Sequence, residues 1–447
     1  MYILKIKKFS LINVAICGVT LILYILPYPE IIDHLIYFSL LYQIIAIYHF
    51  NKTHGLFHLI TIFNSIFFLF YSTKGLLHIL DIIHFSEVFK FFQIHINPIN
   101  QYYLALIPLV VVSLVNTTVL FRNKINYKSR TRQLSILQPA IRIFWLSLPL
   151  TFYRGFIQFK HIVVNGYLSL YDGSMKGIDF NLFITLSSYL TEFSFAAIVA
   201  SNPSKKQFIR YSILFLLIKL LDLLGGRRGQ FFTLLVFIVW FYNKTYSKIR
   251  VNIITALLSF ISIIFIVFIR NYDNFSSIAE NEVILKTIFG EFTNTHLILG
   301  YLLHFGYQTI HPSPLLILGA PLQFIPFHGQ TLEYLKSTFG LGHHLTYYLS
   351  SNSYFNGEGI GSSFVAELFS LGIIGLILGS LLLGYIINFY TNRELGFIPR
   401  LLTYYVVTHI IFISRTSFFP PILKPTLFLL IYIPMLYLIK KILWQRT

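Results

Sequence analysis

The stretch Gln101–Phe121, QYYLALIPLVVVSLVNTTVLF, contains no charged residue. Coiled into a helix, about 20 such residues cross the ~30 Å hydrocarbon core of a bilayer. Similar stretches recur near 9–28, 31–49, 56–73, 138–157, 180–200, 208–224, 231–243, 252–270, 361–388, 399–416 and 426–439. Together they predict an all-α polytopic membrane protein of about twelve transmembrane helices. Composition agrees: the 447 residues are 56% hydrophobic and 11% charged, against about 25% charged in a soluble domain. Mean hydropathy is +0.71. No stretch is polar enough for a separate soluble domain, so residues 1–447 read as one transmembrane domain. The opening MYILKIKKFSLINVAICGVTLILYILPY has a basic flank before its apolar run, but no small-x-small cleavage site. It therefore reads as a retained first span.

Cys17, the one cysteine, lies in that span, which excludes a disulfide framework and a cysteine metal site. The net charge of +18 fits basic loops that set orientation and meet anionic membrane lipid. With no basic soluble module, nucleic acid is not an expected partner.

The loops order the spans. With the N-terminus in the cytoplasm, the inside loops include KIKK, NKTHG, FRNKINYKSRTR, NPSKKQFIR, NKTYSKIR, TNRELGFIPR and the tail KKILWQRT. They hold most of the lysines and arginines, as the positive-inside rule requires, and both termini fall in the cytoplasm. Two outer segments are long, near 158–179 and 271–360. The second, between the ninth and tenth spans, is too long for a plain connector and is expected to hold amphipathic helices. Within it, FGEFTNTHLILGYLLHFGY has helical periodicity but carries Glu291, His296 and His304. It reads as a surface or re-entrant helix at the outer face.

On this topology GGRRGQ, Gly225–Gln230, faces outward. Arg227 and Arg228 then oppose the positive-inside trend, as do Arg154, Arg270 and Arg415 near the outer ends of spans. A lone outer arginine is usually an interface anchor. Two adjacent arginines between glycines suit something larger. The glycines allow a tight turn and close approach, the next helix begins there with its positive dipole end, and guanidinium forks match phosphate oxygens. A phosphate or pyrophosphate site is the favoured reading. Lys219 and Asp222, three apart in the seventh span, are expected to neutralise each other.

A second constellation runs from Ser353 to Gly384. Gly357, Gly359 and Gly361 alternate before a span, and Ser362 and Ser363 sit at its N-cap position. Glu358 lies in the turn. Glu367 lies about one turn into the span, as a functional group or a partner for an outer arginine. Gly372, Gly375, Gly379 and Gly384 are expected to let helices pack closely. His343-His344 offers a base or a metal pair, but adjacent histidines point to different helix faces and no carboxylate completes a metal set. Tyr167 and Tyr171 in NGYLSLYDG either stack on sugar rings or sit as interfacial aromatics.

Three of these stretches, NGYLSLY, GGRRGQF and GEGIGSSFVAELFSLGIIG, together resemble the bacterial oligosaccharide repeat-unit polymerases, the Wzy-type O-antigen or capsule polymerases. Span number, cytoplasmic termini and a large outer loop between late spans agree over nearly the whole chain. The resemblance implies a glycosyltransferase at the outer face of the bacterial inner membrane. Its donor and acceptor are undecaprenyl-pyrophosphate-linked glycans, it needs no metal or other cofactor, and a chain-length regulator is a further partner. It implies cations for the pyrophosphate leaving group, Arg227 and Arg228 first, with Arg154, Arg270 or Arg415 helping. It also implies a general base for the attacking hydroxyl: Glu358, Glu367, His343 or His344. Three other activities compete. A lipid-linked oligosaccharide flippase would place its ionisable residues near the bilayer midplane, whereas here they gather at span ends. An O-antigen ligase uses the same donor with a different acceptor. A membrane acyltransferase wants a His or His-Asp site, which is not seen.

Overall fold

A computed structural model describes residues 2–89, 93–120, 133–166, 169, 171, 182–224, 228–247, 281–310, 329–392, 395–419 and 423–444. The expected span 252–270 with Arg270, the arginine Arg227 and the tyrosine Tyr167 lie outside the described residues, as do the side chains of Arg228 and Glu291.

The described chain is mostly helical. The helices the site depends on are α1 (Tyr2–Ile25), α2 (Ile32–His54), α3 (Leu59–Phe67), α4 (Thr73–Ile79), α5 (Pro98–Leu120), α6 (Leu134–Asn165), α7 (Leu182–Ala200), α8 (Lys205–Leu224), α9 (Arg228–Thr245), α10 (Asn281–Phe305), α11 (Leu341–Leu349), α12 (Phe364–Ser370), α13 (Gly372–Asn392), α14 (Thr403–Phe412) and α15 (Ile433–Trp444). One short antiparallel hairpin, β1 (Glu87–Phe89) and β2 (Gln93–His95), pairs Val88 with Ile94. π-Helical turns at Phe68–Ser72 and Phe428–Tyr432 interrupt two helical runs.

Seven helical runs among the described residues are long and apolar enough to cross a membrane: Pro29–His54, Leu59–Ile79, Pro98–Leu120, Leu134–Asn165, Phe183–Ala200, Gly372–Thr391 and Pro425–Ile442. Phe9–Ile25 and Thr295–Phe305 are shorter apolar helices. Local chemistry accounts for part of the difference from about twelve. α8 carries Lys205, Lys206, Arg210, Lys219 and Asp222. The expected span 361–388 is two helices, because Leu371 ends α12 and Gly372 turns the chain at φ +71°. The expected span 399–416 breaks at Leu402 and tightens into a 3₁₀ turn at Ile413–Arg415.

α5 is the central helix. Leu104 to Asn116 is buried without interruption, and α1, α2, α10 and α13 pack around it. Gly384 lets α13 lie against α5, since a Cβ there would come 2.8 Å from the Val115 carbonyl oxygen. α10 corrects the surface alternative for 289–307. Thr295 to Leu299, Tyr301 and Leu302 are buried. Thr295 Oγ1 donates to the Phe70 carbonyl at 2.9 Å, and His296 Nε2–H donates to the Leu104 carbonyl at 3.0 Å. Of the polar groups in this segment, Thr295 and His296 thus turn into the bundle, while His304 is exposed.

Four helices are pinned by one buried polar network. Tyr42 OH donates to Asn13 Oδ1 at 2.5 Å, and Asn13 Nδ2 donates to the Ser113 carbonyl and to Thr117 Oγ1. Asn116 Nδ2 donates to Tyr42 OH and to Asn64 Oδ1, both at 3.0 Å, and Asn64 Nδ2 returns a bond to Asn116 Oδ1 at 2.9 Å. In lipid such groups have no water to fall back on. At the other end of the bundle from the site described below, Lys244 Nζ donates to the Tyr390 carbonyl and Tyr246 OH to the Pro203 carbonyl.

α11 lies directly on the glycine-rich turn before α12. A Cβ at Gly342 would stand 1.9 Å from the Gly361 carbonyl oxygen, and Gly361 itself has φ +87°. Ile360 N–H donates to Thr346 Oγ1 at 3.1 Å.

Two outcomes follow. Asn116→Leu leaves Asn64 and Tyr42 short of partners and should destabilise the protein by about 1–3 kcal/mol; an unchanged thermal unfolding midpoint in detergent would show the network to be dispensable. Gly342→Ala should disrupt the α11–turn contact and abolish function with the protein still in the membrane. Gly359→Ala, whose nearest neighbour is Gln330 Nε2 at 3.8 Å, should be tolerated; equal activities would contradict the packing.

Candidate functional site

The C-terminal ends of α6 and α8 meet the N-terminal ends of α7 and α9, and they enclose a cavity of about 180 Å³. Helical spacing brings the polar side chains to it. Ser188 and Glu192 stand four apart on α7, and Lys219 and Asp222 three apart on α8. Arg154 of α6 and Gln230 of α9 complete the wall. Lys219 and Asp222 form the expected ion pair, at 3.2 Å. Lys219 Nζ also donates to Gln230 Oε1 at 2.8 Å, and Arg154 Nη1 donates to Ser188 Oγ at 2.5 Å. Gln230 is exposed, so the cavity reaches the surface at the first turn of α9.

α9 begins at Arg228. Its next residue, Gly229, is pressed onto Phe412, the last residue of α14: a Cβ would lie 2.8 Å from the ring's Cζ. From Phe412 the chain continues through the 3₁₀ turn holding Arg415. Arg228, the first residue of α9, and Arg415 therefore flank one contact at the same end of the bundle. Among the described residues the Arg415 guanidinium makes no hydrogen bond or ion pair.

The same segment then reaches the glycine-rich turn. Phe418 N–H donates to Glu367 Oε2 at 2.7 Å, Ser362 Oγ donates to Glu367 Oε1 at 2.9 Å, and Ser362 and Ser417 hydroxyls lie 3.2 Å apart. Glu367 is 2% exposed. Among the described residues its partners are the Phe418 amide and the Ser362 hydroxyl. Ser363 is the N-cap of α12, accepting from Ala366 N–H at 3.3 Å, and its hydroxyl lies 2.8 Å from Tyr71 OH. Tyr71 sits in the first π-helical turn, a device that re-aims a side chain within a helix.

Gln330 ties in the third stretch. Its backbone N–H donates to the Tyr171 carbonyl at 2.9 Å and its Nε2 to the Glu358 carbonyl at 3.1 Å. Glu358 itself is half-buried in the turn, its N–H bonded to the Ser353 carbonyl. His343 stands edge-on to Tyr334 and Tyr354, ring centroids 5.1 and 6.1 Å away. Burial, with His344 adding to it, pushes His343 down to about 4. His344 is also lowered by burial, partly offset by its bond to the Thr338 carbonyl. That bond, at 3.0 Å, places the His344 proton on Nε2. Among the described residues no three of His, Cys, Asp and Glu are grouped to hold a metal ion.

Sequence reasoning missed Glu192 and Gln330. A carboxylate in SSYLTEFSF was visible by the same rule that singled out Glu367. Gln330 gave no signal, because both its bonds are to backbone carbonyls far away in the chain.

Three stretches far apart in sequence are thus held at one end of a helical membrane bundle: Tyr171 and the glycine-rich turn through Gln330, and that turn and the start of α9 through Phe412–Phe418. Searches of curated proteins and of solved structures returned no match. A family model described as O-antigen polysaccharide polymerase Wzy matches residues 8–446. The match takes in every helix that builds this end of the bundle, and the chain belongs to the O-antigen polysaccharide polymerase Wzy family.

Proposed function

We propose that this multi-pass membrane protein joins undecaprenyl-pyrophosphate-linked oligosaccharide repeat units into O-antigen or capsular polysaccharide at the outer face of the bacterial inner membrane. In this reading about twelve helices cross the membrane, both termini are cytoplasmic, and the large loop between the ninth and tenth spans is outside. Family membership supports polymerisation. The observation that carries the site is the contact of Gly229 with Phe412, which sets the opening of α9 beside the segment bearing Arg415.

The reaction breaks the bond between an anomeric carbon and its pyrophosphate oxygen. A sugar hydroxyl of the acceptor attacks that carbon, its proton passes to a base, and undecaprenyl pyrophosphate departs with the electron pair. Cations aimed at the leaving oxygen lower the barrier as charge develops. Arg227 and Arg228 fill that role at the positive end of α9, with Arg415, three residues beyond the Phe412 that Gly229 touches, as a further cation. Arg270 remains as a supporting cation, while Arg154 donates to Ser188 on the wall of the neighbouring cavity. Tyr167 and Tyr171 offer aromatic faces to the glycan.

Glu358 is the favoured base. Both oxygens of Glu367 already accept hydrogen bonds. His343, lowered to about 4, holds a proton too weakly, and His344, whose Nε2–H is given to the Thr338 carbonyl, keeps Nδ1 as its basic nitrogen and is the alternative. The chemistry as written calls for no metal.

In the native host, Arg227→Ala and Arg228→Ala should collapse the long-chain ladder to single repeat units, a loss of about 10²–10³ in rate, with the protein at its normal level in the membrane. An unchanged ladder would reduce both arginines to interface anchors. Loss of all capped glycan would favour a ligase or a flippase.

Glu358→Gln should cost about 10²–10⁴ in polymerisation. Full activity in that variant would move the base to another residue.

A further inference from the structure

The cavity among α6, α7, α8 and α9 has a lining unlike that of a pyrophosphate site. Its charged groups are Arg154 and Lys219 against Glu192 and Asp222, so they sum to zero. Lys219 is already engaged by Asp222 and Gln230, at 3.2 and 2.8 Å. With its cations matched by carboxylates, the lining offers an anionic ligand no net attraction. The carboxylates are, however, good acceptors for hydroxyl hydrogens, and Gln158 adds an amide that both donates and accepts. Tyr189 and Phe215 contribute aromatic surface to the same wall. Hydroxyl-matching polar groups beside aromatic rings suit a sugar: its hydroxyls take the hydrogen bonds and its C–H face takes the ring.

Size and place narrow the ligand. At about 180 Å³ the cavity is smaller than the ~300–1,000 Å³ pockets that take drug-sized ligands. It has room for one ring and not for an oligosaccharide. Gln230, on its wall, is two residues from Arg228 and part of the first turn of α9. A pyrophosphate held at that turn would carry its attached sugar to the cavity mouth.

We infer that this cavity is a sugar subsite that receives the pyranose bonded directly to the pyrophosphate, with Glu192 and Gln158 reading its hydroxyls. The placement rests on the pyrophosphate role proposed for Arg227 and Arg228. The subsite separates two tasks, the cationic turn for the leaving group and the neutral cavity for the sugar. Arg154 belongs to the second, where its guanidinium orients Ser188.

The test uses the full-length protein in lipid nanodiscs. The probes are a panel of free hexoses and N-acetylhexosamines, read by saturation-transfer NMR, with inorganic pyrophosphate as competitor. At least one sugar should bind, with affinity falling about tenfold in Glu192→Gln and in Gln158→Ala, the effect of one charge-assisted or buried hydrogen bond. Pyrophosphate should not displace it, and Arg227→Ala/Arg228→Ala should retain it. Thermal unfolding confirms that the near-isosteric Glu192→Gln is folded. The subsite is overturned by a panel with no binding member, by sugar binding indifferent to both cavity variants, or by displacement with pyrophosphate. These outcomes stand apart from the polymerase reading, which the polysaccharide ladder decides. A collapsed ladder in the arginine variants without sugar binding removes the subsite alone. Cavity-dependent sugar binding with an unchanged ladder keeps a sugar site and removes the pyrophosphate turn.

Discussion

The buried carboxylate of Glu367 is the constraint around which this end of the bundle is organised. A carboxylate at 2% exposure needs partners or it opposes folding. It finds them on two segments at once, Ser362 just before α12 and the backbone amide of Phe418 beyond α14. Meeting that need closes the glycine-rich turn against the segment that carries Arg415. The same segment starts from Phe412, against which α9 begins. One electrostatic requirement thus fixes the relation between two pieces of chain that hydropathy treats as unrelated loops.

Rigidity behind that clamp comes from similar economies elsewhere. Tyr71 reaches Ser363 from a π-helical turn, so the N-cap of α12 is held by the α3–α4 run. In the second π-helical turn, Tyr432 lies 2.6 Å from Ser194 Oγ, two residues beyond Glu192 on α7. In both places a local widening of a helix aims a tyrosine hydroxyl at a helix that bears a site carboxylate. A regular α-helix would direct the same side chain elsewhere. The Asn13–Tyr42–Asn64–Asn116 network does the corresponding work for α1, α2, α3 and α5.

Hydropathy made the helices legible because it is a local property. Gln101–Phe121 could be read as a span without knowing what surrounds it, and α5 is the central helix. The breaks were less legible. Nothing local distinguishes Gly372, which turns the chain at φ +71°, from Gly379, which simply lets α13 pass Leu368. The polarity of His296 suggested a surface, whereas the Leu104 carbonyl accepts its proton within the bundle. For the site, the candidate residues were visible as charges out of place, but their grouping was not. Gln330 joins Tyr171 to Glu358 across stretches of chain with no shared periodicity. Lys219 and Asp222 were legible as a pair because they lie three apart on one helix. That Arg154, Glu192 and Gln230 meet them depends on how four helices cross.

Charge distribution follows from what the proposed reaction asks of each region. A leaving pyrophosphate gains negative charge only as the bond breaks, so cations help most when they face that oxygen and little else. A sugar gains no charge at its hydroxyls, so a strongly cationic pocket would add nothing to its binding and would favour competing anions. The cavity, with its cations matched by carboxylates, is neutral where the proposed sugar sits. In GGRRGQ the two arginines are flanked by glycines, Arg228 opens α9, and no carboxylate stands next to them in the chain. Had the two regions been merged, Glu192 and Asp222 would weaken the hold on the pyrophosphate. Keeping them on separate helix ends, joined by the first turn of α9, lets each retain its own electrostatics while the substrate spans both.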